Sequence, residues 1–235
     1  MLLSRMDWAM LPMTIRRAAW KRVHRAWVDE VYRRVISEID RDAIRALATR
    51  FPAPAGDIGP NKYLDLNIWL RDSVIRALRL GLDEAPPLRI LDMGSGTGYF
   101  LLVARALGHD VRGIDLGDVP VFNEMIRLFG LARQTHRVTS EAPLPHGDER
   151  FDLITAFMVT FNGVEFDWEW GAEEWAVFLR NCLPRLAARG RLFLTFNYCV
   201  RQGRFYDRST AALFDSQPGY RVWRSSGELL IRHSG

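Results

Sequence analysis

The stretch Leu88-Arg-Ile-Leu-Asp-Met-Gly-Ser-Gly-Thr-Gly98 constrains the fold more than any other part of the chain. Leu88 to Leu91 is a short apolar run preceded by Pro86 and Pro87, the pattern of a strand buried on both faces of a parallel sheet. Asp92 ends the run. Gly94, Gly96 and Gly98 follow at alternate positions, where the backbone can turn sharply and lie close to a ligand with no Cβ in the way. Tyr99 to Leu107 then reads as a helix, with Phe100, Leu101, Val103, Ala104 and Leu107 apolar and Gly108 as its stop. Strand, glycine loop and helix N-terminus in this order make a ligand-binding turn, and the spacing narrows the ligand. A phosphate-cradling loop needs Lys-Ser or Lys-Thr after its glycine, and none is present. A dinucleotide loop needs its third glycine one place later, where this chain has Tyr99.

Val111-Arg-Gly-Ile-Asp115 is a second short strand ending in an acid, placed where a carboxylate takes both hydroxyls of an adenosine ribose. Together these residues resemble the class I S-adenosylmethionine-dependent methyltransferases, whose first motif is a hydrophobic strand, Asp or Glu, then Gly-x-Gly-x-Gly. The match is complete from Leu91 to Gly98. Glu141-Ala-Pro-Leu-Pro with Arg150-Phe-Asp-Leu-Ile154 is similar to the family's loop and fourth strand. Trp175 to Leu186 with Ala-Ala-Arg-Gly190 and the apolar run after it is similar to the helix, turn and fifth strand. The resemblance covers roughly residues 61–235.

It implies an α/β fold, a Rossmann-like doubly wound and mostly parallel seven-stranded sheet carrying an N-terminal helical extension, and S-adenosyl-L-methionine as cofactor. The residues it assigns to the cofactor are Asp92, Gly94, Ser95, Gly96, Gly98, Asp115, Leu116, Ser140, Glu141 and Phe157. Family members often carry an acid at the end of the third strand for the adenine amino group. Ser140 occupies that place here, with Glu141 adjacent as a substitute. Tyr63 lies upstream of the motif, where related enzymes close an aromatic over the cofactor, and a core position is the competing reading.

Alternating patterns predict strands over 88–92, 111–115, 136–140, 151–157 and 191–196. They predict helices over 61–80, 99–107, 121–129 and 173–187, with a final hairpin of 220–224 and 228–232. Residues 1–60 are read as an extension and linker, and 61–235 as the catalytic domain. In the extension Trp20, Val23, Trp27, Val31, Val35 and Ile39 recur every three or four residues between arginines. The segment 14–40 is therefore a basic amphipathic helix that packs on the domain or on a twin subunit in a homo-oligomer. Its competing role is a peripheral membrane contact.

Charge bears on the acceptor. The net charge is +4, and residues 1–50 hold eleven basic against six acidic side chains, so the remainder is close to neutral. Thirty of the thirty-two basic residues are arginine, a bias that reflects coding composition more readily than phosphate binding. After the fourth strand, Asn162, Glu165, Asp167 and Glu169 alternate with Phe161, Phe166, Trp168 and Trp170. Such an acidic, aromatic loop suits a polar or cationic small molecule, and Tyr63, Asn162, Trp168 and Trp170 are the candidate acceptor residues. A polyanion is a poor fit, so nucleic acid is not expected. The expected reaction is methyl transfer to an O or N atom of a small-molecule, lipid or saccharide acceptor. An RNA or protein methyltransferase and an inactive cofactor-binding subunit are the alternatives. No catalytic triad or metal cluster appears, and no general base is assigned; His136 and His146 lie nearest the expected site. Met1 to Met13 is apolar but broken by Arg5, Asp7 and Pro12, so neither a signal peptide nor a membrane span is expected. Two cysteines suit a reducing compartment, the cytoplasm.

Overall fold

The computed structural model describes residues 24–52, 59–163, 168–217, 219–223 and 227–232. The chain opens with helices α1 (Arg25–Ser37) and α2 (Arg41–Arg50), a 3-10 turn (Gly59–Leu64) and α3 (Leu66–Arg79). It continues through β1 (Arg89–Met93), α4 (Tyr99–Ala106), β2 (Asp110–Asp115), α5 (Pro120–Leu128), β3 (Arg133–Thr135) and β4 (Phe151–Val159). It ends with α6 (Ala172–Cys182), a 3-10 turn (Leu183–Arg185), β5 (Leu186–Phe196), α7 (Arg208–Asp215), β6 (Arg221–Trp223) and β7 (Glu228–Arg232).

The strands form one seven-stranded sheet in the order β3-β2-β1-β4-β5-β7-β6. The first five run parallel, and β7 lies antiparallel to both β5 and β6. Successive residues of the central strands point to opposite faces, and both faces are covered. Ile90 and Leu153 join a core with α1 to α5, whereas Leu91 and Ile154 join a second core with α6 and α7. This is the doubly wound, mostly parallel seven-stranded sheet expected.

Several boundaries differ from the sequence reading. The third strand lies at Arg133–Thr135 and not at 136–140, because β2 ends at Asp115, which pairs with Thr135, and no partner is left for later residues. Ser140 consequently sits in a loop well past the strand. The helix expected over 61–80 starts at Leu66, since the Asp65 carboxylate accepts from the Asn67 amide at 2.9 Å and caps it. The helix expected to reach 187 stops at Cys182, before Pro184, and Leu186 already opens β5.

The described part of the N-terminal helix ends at Ser37, and residues 14–23 of that expectation lie outside the described residues. Asp40 accepts from the Asp42 and Ala43 amides at 3.0 and 2.9 Å, which starts α2, a helix the periodicity did not reveal. Val35 and Ile44 are buried in the same core as Leu70 and Leu101. Helices α1 and α2 therefore cover one face of the sheet. Among the described residues no helix is long and apolar enough to cross a membrane.

Candidate active site

The glycine loop sits at the carboxyl end of β1, between the two strands that flank it. The amides of Gly94 and Ser95 donate to the Ile114 carbonyl at 2.8 and 3.1 Å, and the Gly98 amide closes the turn onto Ser95 O at 2.8 Å. Gly96 and Gly98 have φ of +52° and +81°, a region that side chains other than glycine enter at a cost. Their surroundings differ. A Cβ on Gly98 would meet Ile126 and Leu131 at 2.6 and 2.7 Å, so this glycine serves packing between α4 and α5. A Cβ on Gly94 would meet nothing within 4 Å, and the loop there faces open space.

Asp115 ends β2 and braces the loop. Its Oδ2 accepts the Gly96 amide at 2.8 Å and its Oδ1 the Gly117 amide at 3.5 Å, which leaves each oxygen a further lone pair. Arg133 supports the same corner: its guanidinium donates to Gly96 O at 3.2 Å and to Asn123 Oδ1, while Asn123 Nδ2 donates to Gly117 O at 2.9 Å. Leu116 projects beyond the strand, partly exposed. Tyr63 arrives from the N-terminal segment. Its ring packs edge-on to Phe122 at 5.3 Å, Phe122 reaches to Gly96, and the Tyr63 carbonyl accepts from the Tyr99 hydroxyl at 2.7 Å. The structure thus brings Tyr63, Gly96 and Asp115 together.

Asp92 is buried between β1 and β4, opposite Thr155, whose hydroxyl donates to its Oδ1 at 2.7 Å. Burial pushes its carboxyl up to about 7; the Thr155 hydrogen bond and the Arg76 charge act against that shift, and Asp115 adds to it. Ser95 Oγ is buried with no hydrogen-bond partner. Phe157 packs at 4.7 Å on Phe100, in the first turn of α4, and at 6.0 Å on Phe193, with the Arg76 guanidinium 4.8 Å from its ring centroid.

At its carboxyl end β4 continues past the expected end at 157 through a bulge. Ala156 pairs with Leu194 but Val159 with Phe196, and Met158 takes up the extra residue at φ +56° with its amide donating to Thr195 Oγ1 at 2.7 Å. Met158, Trp168 and Tyr198 are about half exposed there, at 53, 54 and 51%. Asn162 is buried, its Oδ1 has no hydrogen-bond partner, and its carbonyl accepts from the Trp170 amide at 2.8 Å. Trp170 corrects the sequence reading. It turns inward onto Phe161, Trp175 and Phe178, with ring centroids 5.0–5.5 Å away, so this side chain is core. Glu165, Phe166 and Asp167 lie outside the described residues.

Ser140, Glu141 and His146 lie in the loop between β3 and β4. Ser140 and Glu141 present their carbonyls to Asn181 Nδ2 at 3.0 and 3.1 Å, and this contact holds their loop against α6. His146 packs on Phe151, at the start of β4, with Glu149, Arg112, Arg185 and His136 as its titratable neighbours. The His136 amide donates to the Asp115 carbonyl at 2.8 Å, and burial holds the His146 pKa below the usual value. Thr155, Phe122, Arg133 and Arg76 went unnoticed in the sequence. A lone threonine in the apolar run of β4 was the one available signal.

Residues 66–162 match the model of a methyltransferase domain family. Over that stretch the chain carries a methyltransferase domain. Its methyl donor is S-adenosyl-L-methionine, and the open face at Gly94, the unpartnered Ser95 hydroxyl and the spare lone pairs of Asp115 fit that molecule. When bound, the donor supplies an activated methyl on sulfur. The methyltransferase superposes on DesVI from Streptomyces venezuelae with a TM-score of 0.52, covering 79% of this chain and 100% of that one at 14% identity. A protein from Pyrococcus horikoshii OT3 gives 0.51, over 72% and 93% of the two chains at 13% identity. These two share its fold. An amino pentose methyltransferase from Micromonospora echinaspora with S-adenosylmethionine bound is 22% identical over 55% of this chain, at a TM-score of 0.42. The methyltransferase spans 51% of that protein's length. No protein of curated function matches it in sequence.

Proposed function

We propose that this methyltransferase acts on an O or N atom of a small-molecule, lipid or saccharide acceptor with an apolar or ring-shaped body. The observation that carries this reading is the exposed set Met158, Trp168 and Tyr198 at the ends of β4 and β5. Aromatic and thioether surfaces bind sugar and hydrocarbon faces, whereas an RNA-binding edge would present unpaired cations. Here Arg204 is paired with Glu169 at 3.5 Å. Asp115 and Leu116 hold the adenosine, Asp92 and the glycine loop the methionine end, and Tyr63 closes the donor side. Asn162 orients the acceptor. The protein's contribution is to align the acceptor atom with the methyl and keep water out, with no general base required unless the acceptor must lose a proton. The buried thiols of Cys182 and Cys199 suit a reducing compartment, the cytoplasm.

The test is to supply methyl-labelled donor with separate pools of total RNA, total protein, lipid extract and sugar nucleotides. Label entering the lipid or small-molecule pools supports the reading. Label confined to RNA or protein overturns it in favour of the macromolecular alternative.

A further inference from the structure

The methionine end of the donor carries an ammonium and a carboxylate; buried Asp92 offers an acid for the first, and of the two cations at the site Arg133 is spent on the Gly96 and Asn123 corner beside Asp115. Arg76, on α3, is the other. Its guanidinium lies over the Phe157 ring, which in turn packs on Phe100 in the first turn of α4, so α3, the end of β4 and the start of α4 meet there. Its charge bears directly on buried Asp92. Asp72, one turn earlier on α3, holds the guanidinium at 2.7 Å, and the Arg76 side chain keeps 26% of its surface exposed. A guanidinium has five donors in a planar fork, enough to keep one carboxylate on one edge and take a second on another. The first-turn amides of α4 add partial positive charge on the same side.

We propose that Arg76 is the carboxylate-binding residue of the donor site: its guanidinium, set over Phe157 and steadied by Asp72, receives the α-carboxylate of the methionine moiety. This rests on the donor being S-adenosyl-L-methionine. Phe157 thereby acts through Arg76, as the surface that fixes the guanidinium's plane, which explains why an aromatic ends the inward-facing part of β4.

The experiment compares S-adenosylmethionine with decarboxylated S-adenosylmethionine, which keeps the sulfonium and the amine and lacks only the carboxylate. Both are titrated calorimetrically into the wild-type chain, Arg76→Gln and Arg76→Lys. The wild type is expected to prefer the carboxylated donor by at least about tenfold, the value of a charge-assisted pair. Arg76→Gln is expected to weaken it by about 10–100-fold while moving the decarboxylated compound less than about threefold, and Arg76→Lys to recover part of the loss. Equal weakening of both compounds would mean that Arg76 only packs on Phe157, and the proposal falls. Unchanged binding of both would overturn it as well. If the wild type binds neither nucleoside, the donor assignment itself fails, a result separable from the other two. Retained melting temperature in Arg76→Gln itself shows that its loss of binding is not a folding defect.

Discussion

The Asp115 carboxylate and the Gly96 amide are joined by a 2.8 Å hydrogen bond that ties the end of β2 to the glycine loop beside it. On the proposed reading, the acid that receives the ribose is also the acid that shapes the loop. Loop and acid lie 19 residues apart in the chain and act as one object.

Removing that acid separates binding from stability. Asp115→Ala is expected to weaken S-adenosylmethionine by about 10–100-fold, since hydrogen bonds to a charged partner contribute about 1.5–3 kcal/mol. Asp115→Asn keeps one acceptor for the Gly96 amide and falls between the two. Calorimetric titration with parallel thermal melts checks this; an unfolded Asp115→Ala chain, or one with unchanged affinity, contradicts the role.

Asp92 predicts a pH dependence of known sign. Its folded pKa, about 7, lies above the unfolded value near 3.8, so the folded chain holds the extra proton between those two values. Stability from this group is full below about pH 4 and is lost as pH rises through 7. Donor affinity runs the other way, because a cation beside Asp92 favours its charged form. Melting temperatures and titrations from pH 5 to 8 are expected to show both slopes in the wild type and to lose both in Asp92→Asn.

The two ends of the glycine loop respond differently to a methyl group. Gly98→Ala forces a Cβ into Ile126 and Leu131 at positive φ and is expected to cost about 2–4 kcal/mol of stability. Gly94→Ala meets only the backbone penalty, about 1 kcal/mol, yet places its methyl in the donor's space. Denaturant unfolding should rank Gly98→Ala as the less stable, and donor titration should rank Gly94→Ala as the weaker binder relative to its stability.

Of the two tryptophans between β4 and α6, one is structural. Trp170→Ala opens the aromatic core and is expected to cost about 3–5 kcal/mol. Trp168→Ala is expected to cost less than about 1 kcal/mol and to raise the acceptor KM. Steady-state kinetics with the acceptor, beside chemical denaturation, distinguish them.

The glycine loop and the acid ending β2 were legible because they are local. Leu91 to Gly98 and Asp115 are contiguous motifs whose spacing encodes the turn, and the alternation of strands and helices follows from short apolar runs punctuated by glycine. What escaped notice depends on contacts distant in sequence. Arg133 meets Gly96 across 37 residues and Thr155 meets Asp92 across 63, and nothing local marks either. Trp170 was misplaced because an aromatic in a loop and an aromatic under a helix have the same composition, and only the turn at Asn162 decides between them. The third strand was misplaced because its end is set by its partner β2.

The bulge at Met158 has an evolutionary consequence. By absorbing one residue, it releases the tip of β4 from the strict alternation that binds Leu153 and Ile154 to opposite cores. Changes from Met158 onward can then alter what the enzyme meets without shifting the frame of the buried strand or the Thr155 contact behind the donor. On the proposed reading, such a joint lets acceptor choice change while the donor half keeps its frame.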